Sequence, residues 1–167
     1  MKSSRIRKFR ILGLCLAAFG AYAVLGCSSS ASSESNEPDN FRGIKWGEEF
    51  SSVSSLNQIA GEGGLFLYEK SNDQLQMGEV RLDQVIYGFY KGRFYMGMIY
   101  FPAVGFKRIE EMLTRQLGQP ARPDNTPSKL IWDGDNVSVL LSLGESSDQA
   151  RLVYLYKPTQ LEVELKK

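Results

Sequence analysis

Histidine is missing from the 167-residue chain, and cysteine occurs only twice. Without histidine the chain lacks the side chain that most often works as an acid–base catalyst at neutral pH, and the commonest metal ligand. Catalytic groups of the Ser-His-Asp or Cys-His kind and histidine-based zinc sites are therefore excluded. These absences favour a protein that is not an enzyme, has no cofactor or metal, and acts by binding.

The two cysteines lie near the N-terminus, outside the region that could form a folded core. Cys15 is within the apolar run of residues 11–25, and Cys27 follows that run directly. If processing removes the residues before Cys27, a single sulfhydryl is left and no intrachain disulfide can form. The folded part is then expected to contain no cysteine at all.

Five basic residues come before the apolar run, and no acidic residue appears before Glu34. A basic segment followed by about 15 apolar residues is typical of a secretory signal and is short for a membrane span. The stretch Val24–Cys27 (VLGC) resembles the cleavage motif of bacterial lipoproteins. That resemblance implies a signal peptide over residues 1–26, a lipid on Cys27 and a periplasm-facing domain. The alternatives are an ordinary cleaved signal or an uncleaved membrane anchor, with Cys27 incidental.

The residues after Cys27 are mostly serine and other small or polar types. They predict a flexible tether over residues 27–40, with Ser28 resembling the pattern that permits transport to the outer membrane. A single domain is expected over residues 41–167. Without the five N-terminal basic residues, 15 basic residues face 19 acidic ones, which gives a net charge of −4. An acidic domain of this kind has no electrostatic footprint for nucleic acid.

Patterns of apolar residues predict an α+β domain with an antiparallel sheet of five to seven strands and one main helix packed on one face. The helix is expected at residues 105–117, where apolar residues follow helical spacing and Gly118 and Pro120 form a stop signal. The strands are expected at residues 41–46, 65–69, 75–82, 83–101, 129–132, 137–143 and 151–156. A turn of helix is expected within residues 48–56, and a breaker at residues 61–64. The segment 159–167 is compatible with either a helix or a strand.

The segment Asp83–Phe101 predicts a hairpin with its turn at Lys91-Gly92. With Tyr90 opposite Arg93, Gly88 would face Tyr95 and Ile86 would face Gly97. The glycines would then leave a shallow apolar trough on a face that carries Tyr90, Tyr95 and Ile99. If the main helix leaves that face open, the trough is a candidate binding surface for a peptide or protein partner.

For the other candidate sites, the sequence favours a structural role over a functional one. The Asp133–Asn136 segment lacks the remaining ligands of a calcium loop and predicts a hairpin turn. The acidic pairs at positions 48–49 and 110–111 are adjacent in sequence, so their side chains diverge. Distant carboxylates that converge in the fold would still be compatible with a hydrolase.

The helix ending in Leu117-Gly118-Gln119-Pro120 before an aromatic strand resembles the small lipoproteins of the β-barrel assembly machinery (BamE-like). The resemblance covers about a third of the domain and implies a non-catalytic envelope protein. The sequence therefore predicts a lipid-anchored envelope protein that binds a protein partner. The alternatives are a carrier of a small apolar ligand and, third, a hydrolase.

Overall fold

The computed structural model describes residues 36–123, 126, 128–144 and 148–164. The expected signal peptide, Cys27 and most of the expected tether lie outside these residues. Two helices are present, α1 (Phe106–Leu117) and α2 (Lys157–Glu164). The strands are β1 (Asn40–Phe41), β2 (Ile44–Lys45), β3 (Leu56–Glu62), β4 (Leu65–Lys70), β5 (Gln76–Met77), β6 (Val80–Arg81), β7 (Gln84–Tyr90), β8 (Arg93–Pro102), β9 (Lys129–Asp133), β10 (Val137–Leu143) and β11 (Gln149–Tyr156).

Seven of the strands form one antiparallel sheet in the order β3-β4-β7-β8-β11-β10-β9. The other four make two short hairpins, β1-β2 and β5-β6. One face of the sheet packs against α1 and the β1-β2 hairpin in a single apolar core. The predicted α+β class, with an antiparallel sheet of up to seven strands and one main helix, is confirmed.

Helix α1 forms as its residue spacing predicts, one residue after the expected start. Ile109 and Leu113 are fully buried in the core, one turn apart on the same side of the helix. Gly118 ends the helix with a φ of 88°, a conformation that glycine adopts without strain. The indole Nε1 of Trp132 donates a hydrogen bond of 2.8 Å to the Gly118 carbonyl, which attaches this end of α1 to the sheet.

The β7–β8 hairpin has the predicted turn at Lys91-Gly92 and the predicted pairing of Tyr90 with Arg93. Beyond the turn, the expected register is wrong. Phe89 pairs with Phe94 but Gly88 pairs with Met96, so Tyr95 is an extra residue that forms a β-bulge. A shift of one residue exchanges the two faces of a strand. Every residue of β8 after the bulge therefore points to the face opposite to the expected one.

The bulge places the two strand glycines on opposite faces of the sheet. Gly97 faces the core, where a β-carbon at this position would lie 2.5 Å from the ring of Phe41. Gly88 faces away from the core beneath Met96, whose Cε would lie 2.8 Å from an added β-carbon. Both spaces are filled by side chains, so the expected trough beside the glycines is absent from this hairpin.

Several other elements differ from the sequence expectations. Strand β3 extends through Gly61 and Glu62, which the sequence indicated as a breaker, and the turn follows at Gly63-Gly64. The sequence predicts Trp132 opposite Val137, with Leu130, Val139 and Leu141 on the same face. In the structure Trp132 pairs with Val139, a shift of two residues that keeps these side chains on their common face. The expected strand at residues 41–46 is a short hairpin, and the expected helical turn is a 3-10 turn over Phe50–Ser52. The ambiguous C-terminal segment forms helix α2 up to Glu164.

The last residues of the expected tether contact the domain. The Glu37 carboxylate accepts hydrogen bonds from the backbone N–H groups of Asn136 and Val137 in the β9–β10 turn. The Pro38 carbonyl accepts a hydrogen bond of 2.7 Å from the indole of Trp46. The chain is thus held against the domain from Glu37 onward, before the expected domain start at Phe41.

Candidate binding surface

The three residues that the sequence indicated as a binding surface do not share a face. Ile99 is 2% exposed and lies in the core on the α1 side of the sheet. Tyr90 and Tyr95 are each 5% exposed, and their ring centroids are 6.4 Å apart in an edge-on arrangement. The separation of Ile99 from the tyrosines follows from the bulge at Tyr95. A binding role for these three residues stays a prediction.

The tyrosine pair lies at the end of the sheet where α2 begins. Helix α2 contacts β8 and β11, and Lys91, next to Tyr90, forms an ion pair of 3.7 Å with Glu162 of α2. Burial raises the pKa of Tyr95, and the nearby Tyr90 raises it further. The Tyr95 hydroxyl is therefore neutral at physiological pH, and its ring packs as an apolar group with a polar tip.

The sheet face opposite α1 carries a continuous row of apolar side chains. The register joins one residue from each of five neighbouring strands into this apolar row: Ile86, Met98, Val153, Leu140 and Ile131. Ile86 and Val153 are buried, and the other three are half-buried. Neighbouring strands are about 4.8 Å apart, so the row is about 19 Å long.

A second line of apolar residues extends the same surface toward α2. Leu67 pairs with Gly88, Gly88 with Met96, and Met96 with Leu155. We call the apolar row together with Leu67, Met96 and Leu155 the outer patch. Two of its members are methionines, whose flexible and polarisable side chains adapt to different partners.

On the other side of the apolar row, the same strands carry polar side chains. This polar row consists of Gln84, Tyr100, Arg151, Ser142 and Lys129. Gln84 donates a hydrogen bond of 2.6 Å to Glu69 on β4. Arg151 and Lys129 are exposed, and neither forms an ion pair with a carboxylate of the described residues.

Neither described helix packs across the centre of the apolar row. Helix α1 packs on the opposite face, where Ile109 and Leu113 belong to the core. Helix α2 follows β11 and reaches Lys91 in the β7–β8 turn, at the far end of the sheet from the polar row. Within the described parts of the chain, the outer patch therefore has no helix packed across its centre.

A separate cleft of about 400 Å³ lies near the β9 edge of the sheet. Its lining includes Trp132, Val139 and Leu117, together with Glu37 and Pro38 of the N-terminal segment. This volume is within the usual range for small-molecule sites, and the lining combines apolar walls with a few polar groups.

The structure shows the positions of two acidic segments for which the sequence predicted a structural role. The Asp133–Asn136 segment is the β9–β10 turn, as predicted, and a hydrogen bond from Lys157 lowers the pKa of Asp133. The Glu110 carboxylate contacts Lys107 at 3.4 Å and Arg122 at 2.7 Å. In the described ranges, no three acidic or cysteine side chains are grouped closely enough to bind a metal ion.

The expected register put Met96 and Met98 on the face of Val85 and Tyr87, whereas the bulge turns them to the opposite face, so the outer patch was missed. One signal was available in β10 and β11. Leu140 lies between Ser138 and Ser142 on the solvent side of its strand, and Val153 follows Arg151 in the same way. Apolar residues at positions where the alternation predicts polar ones indicate a second apolar surface.

None of the helices in the described parts of the chain is both long enough and apolar enough to span a membrane. Comparison of the chain with protein-family models, with curated proteins and with solved structures finds no significant match.

Proposed function

We propose that this chain is an envelope lipoprotein, anchored to the outer membrane through a lipid on Cys27, whose domain acts without catalysis by binding a protein partner. The signal-like N-terminus supports the anchor: a basic segment, an apolar run and a Gly-Cys junction follow one another in the order typical of lipoprotein signals. The outer patch supports the binding role. Two acyl chains or more would hold the protein firmly at the membrane, because one chain alone binds only marginally.

The observation that carries the binding proposal is the apolar row across five neighbouring strands. An antiparallel sheet with one face on its core usually turns polar residues to solvent on the other face. Here the row combines two buried and three half-buried apolar residues, and polar residues border it. A continuous apolar surface with a polar rim is the usual form of a protein–protein contact site.

A second candidate function is the carriage of a small apolar ligand. The cleft of about 400 Å³ beside Trp132 favours it, since a molecule of modest size would be partly enclosed there. Glu37 and Asp133 border the same cleft and give it a polar side. Ile131 lines both the cleft and the outer patch, and the rest of the cleft lining lies outside the patch, so the two functions use largely different surfaces.

The binding proposal is tested by placing charges in the outer patch. We expect in vivo crosslinking to capture at least about tenfold less partner with the double variant Met98→Glu/Leu140→Glu than with the wild-type protein, because two carboxylates would interrupt the apolar surface and would lose their hydration on binding. The control is Val104→Glu, which adds one carboxylate at a residue that is 95% exposed and outside the patch. Circular dichroism of each variant checks the fold. Equal capture by a folded double variant would contradict the proposal.

The anchor is tested at Cys27. We expect Cys27→Ser to abolish labelling by radioactive palmitate and to release the domain from the outer-membrane fraction, since no other cysteine follows the apolar run. Ser28→Ala is the control, because it leaves the thiol in place. A Cys27→Ser protein that keeps both its lipid label and its membrane fraction would refute the assignment.

A further inference from the structure

The polar row beside the outer patch has an excess of positive charge at one end. Arg151 and Lys129 lie on either side of Ser142 in neighbouring strands. Both are exposed, without an ion pair among the described residues, whereas Glu69 at the other end accepts a hydrogen bond from Gln84. The surface therefore offers two cations that lie next to an apolar row and have no intramolecular counter-charge in the described chain.

Resting on the proposed function, we infer that the partner segment is an acidic amphipathic helix that binds along the apolar row and places its carboxylates against Arg151 and Lys129. The charge pattern requires a ligand that is apolar on one side and acidic along one edge. Such complementarity determines which partners bind and speeds their association more than it adds affinity.

The dimensions of the surface fit a helix. Arg151 and Lys129 are separated by two strand spacings, which is about 10 Å. Helical residues seven positions apart lie on the same side and about 10.5 Å apart along the axis. The apolar row of about 19 Å corresponds to about 13 helical residues. Helix α2 follows the same direction, from the end of β11 to Lys91 in the β7–β8 turn.

The corner where the carboxylates would bind is concave. A hollow of about 240 Å³ is lined by Tyr100, Ser142 and Arg151, with Leu143 and Gln149 at its border. A carboxylate in this hollow can accept hydrogen bonds from the Arg151 guanidinium and the Ser142 hydroxyl. Bonds between a guanidinium and a carboxylate are stronger than those between neutral groups, and often bidentate.

The test uses the full chain, purified from membranes in a non-ionic detergent, and two synthetic peptides. Both are 18-residue helix formers with the same leucine stripe, and they differ only in carrying glutamates or lysines at flanking positions seven apart. By fluorescence anisotropy at low ionic strength, we expect the glutamate peptide to bind at least about tenfold more tightly than the lysine peptide, and to weaken as salt is added.

Charge reversal provides the decisive comparison. We expect Lys129→Glu/Arg151→Glu to lose the preference for the glutamate peptide and to bind the lysine peptide better than the wild-type protein does. The control is Arg81→Glu/Arg115→Glu, which makes the same charge change at two exposed residues outside the polar row. Equal binding of the two peptides, or an unchanged preference after charge reversal, would overturn the inference.

Two further outcomes would also contradict the inference of an acidic helical partner. If neither peptide binds and the protein instead associates with mixed micelles containing phosphatidylglycerol, the cations recognise a lipid headgroup and the inference fails. If the crosslinked partner is lost with Met98→Glu/Leu140→Glu but retained with Lys129→Glu/Arg151→Glu, the apolar row binds a partner without acidic residues. In that case the proposed function stands and this inference alone fails.

Discussion

Replacing Phe41 with alanine is expected to lower the free energy of unfolding by about 3–5 kcal/mol, the usual cost of removing a buried phenylalanine. The ring is 3% exposed and packs against Tyr154 at 5.3 Å and Tyr87 at 5.5 Å between ring centroids. It also fills the space above Gly97. The buried Ile44 and the Arg42–Asp73 ion pair also attach the β1-β2 hairpin to the rest of the fold, so the loss should come from the vacated space and not from detachment of the hairpin. Urea unfolding measured by tryptophan fluorescence provides the test.

The companion variant is Gly97→Ala. Its β-carbon would lie 2.5 Å from the Phe41 ring, so the ring must move, and we expect a loss of about 1–3 kcal/mol. In the double variant Phe41→Ala/Gly97→Ala the new methyl group has room, because the ring is gone. The double variant should therefore lose less than the sum of the two single losses. Strictly additive losses would show that Phe41 does not pack on Gly97 in solution.

This contact illustrates what the sequence could and could not predict. Helix α1, the Lys91-Gly92 turn and the common face of β9 and β10 depend on local spacing, and each was predicted. The packing of Phe41 on Gly97 depends on the bulge at Tyr95, which nothing in the local pattern indicates because residues 94–101 are apolar or glycine on both faces. With no polar residues to mark the solvent side, two registers fit the hairpin equally well.

The candidate surface was missed for the same reason. The expected register put Met96 and Met98 on the face of Val85, Tyr87 and Phe89 and put Ile99 on the face of Tyr90, and the bulge reverses all three. The sequence indicated the face of Tyr90 and Tyr95 as a candidate surface if the main helix left it open. The identities of its residues required the pairing of β8 with β7 and β11, which is a property of the folded chain.

Replacing Asp73 with alanine is the second change that should destabilise the fold strongly, by about 2–4 kcal/mol. Its carboxylate accepts a hydrogen bond of 2.6 Å from the Tyr87 hydroxyl and pairs with Arg42 at 2.9 Å. It thus joins the β1-β2 turn, the loop before β5 and strand β7. Burial, followed by the hydrogen bond to Asp73, raises the pKa of Tyr87, so the hydroxyl stays protonated and donates.

The expected cost exceeds that of an exposed ion pair because both partners are largely buried. The Arg42 side chain is 19% exposed and that of Asp73 is 13% exposed. Removing one member of a largely buried pair leaves the other charge without a partner, although the remaining solvent contact reduces the penalty below that of full burial. The Nε of Arg42 is buried without a hydrogen-bond partner among the described residues, and the guanidinium donates to the Gln74 carbonyl as well as to Asp73.

A double-mutant cycle separates the interaction energy of the Arg42–Asp73 pair from the cost of the packing lost around the two side chains. Urea unfolding of Asp73→Ala, Arg42→Met and the double variant should show that the two single losses are not additive, with the double variant recovering about 1–2 kcal/mol of their sum. Tyr87→Phe, which removes only the hydroxyl, should lose about 1 kcal/mol and serves as the control for the neutral hydrogen bond. If Asp73→Ala costs no more than Tyr87→Phe, the carboxylate contributes nothing beyond accepting the tyrosine proton, and the ion pair to Arg42 does not stabilise the fold.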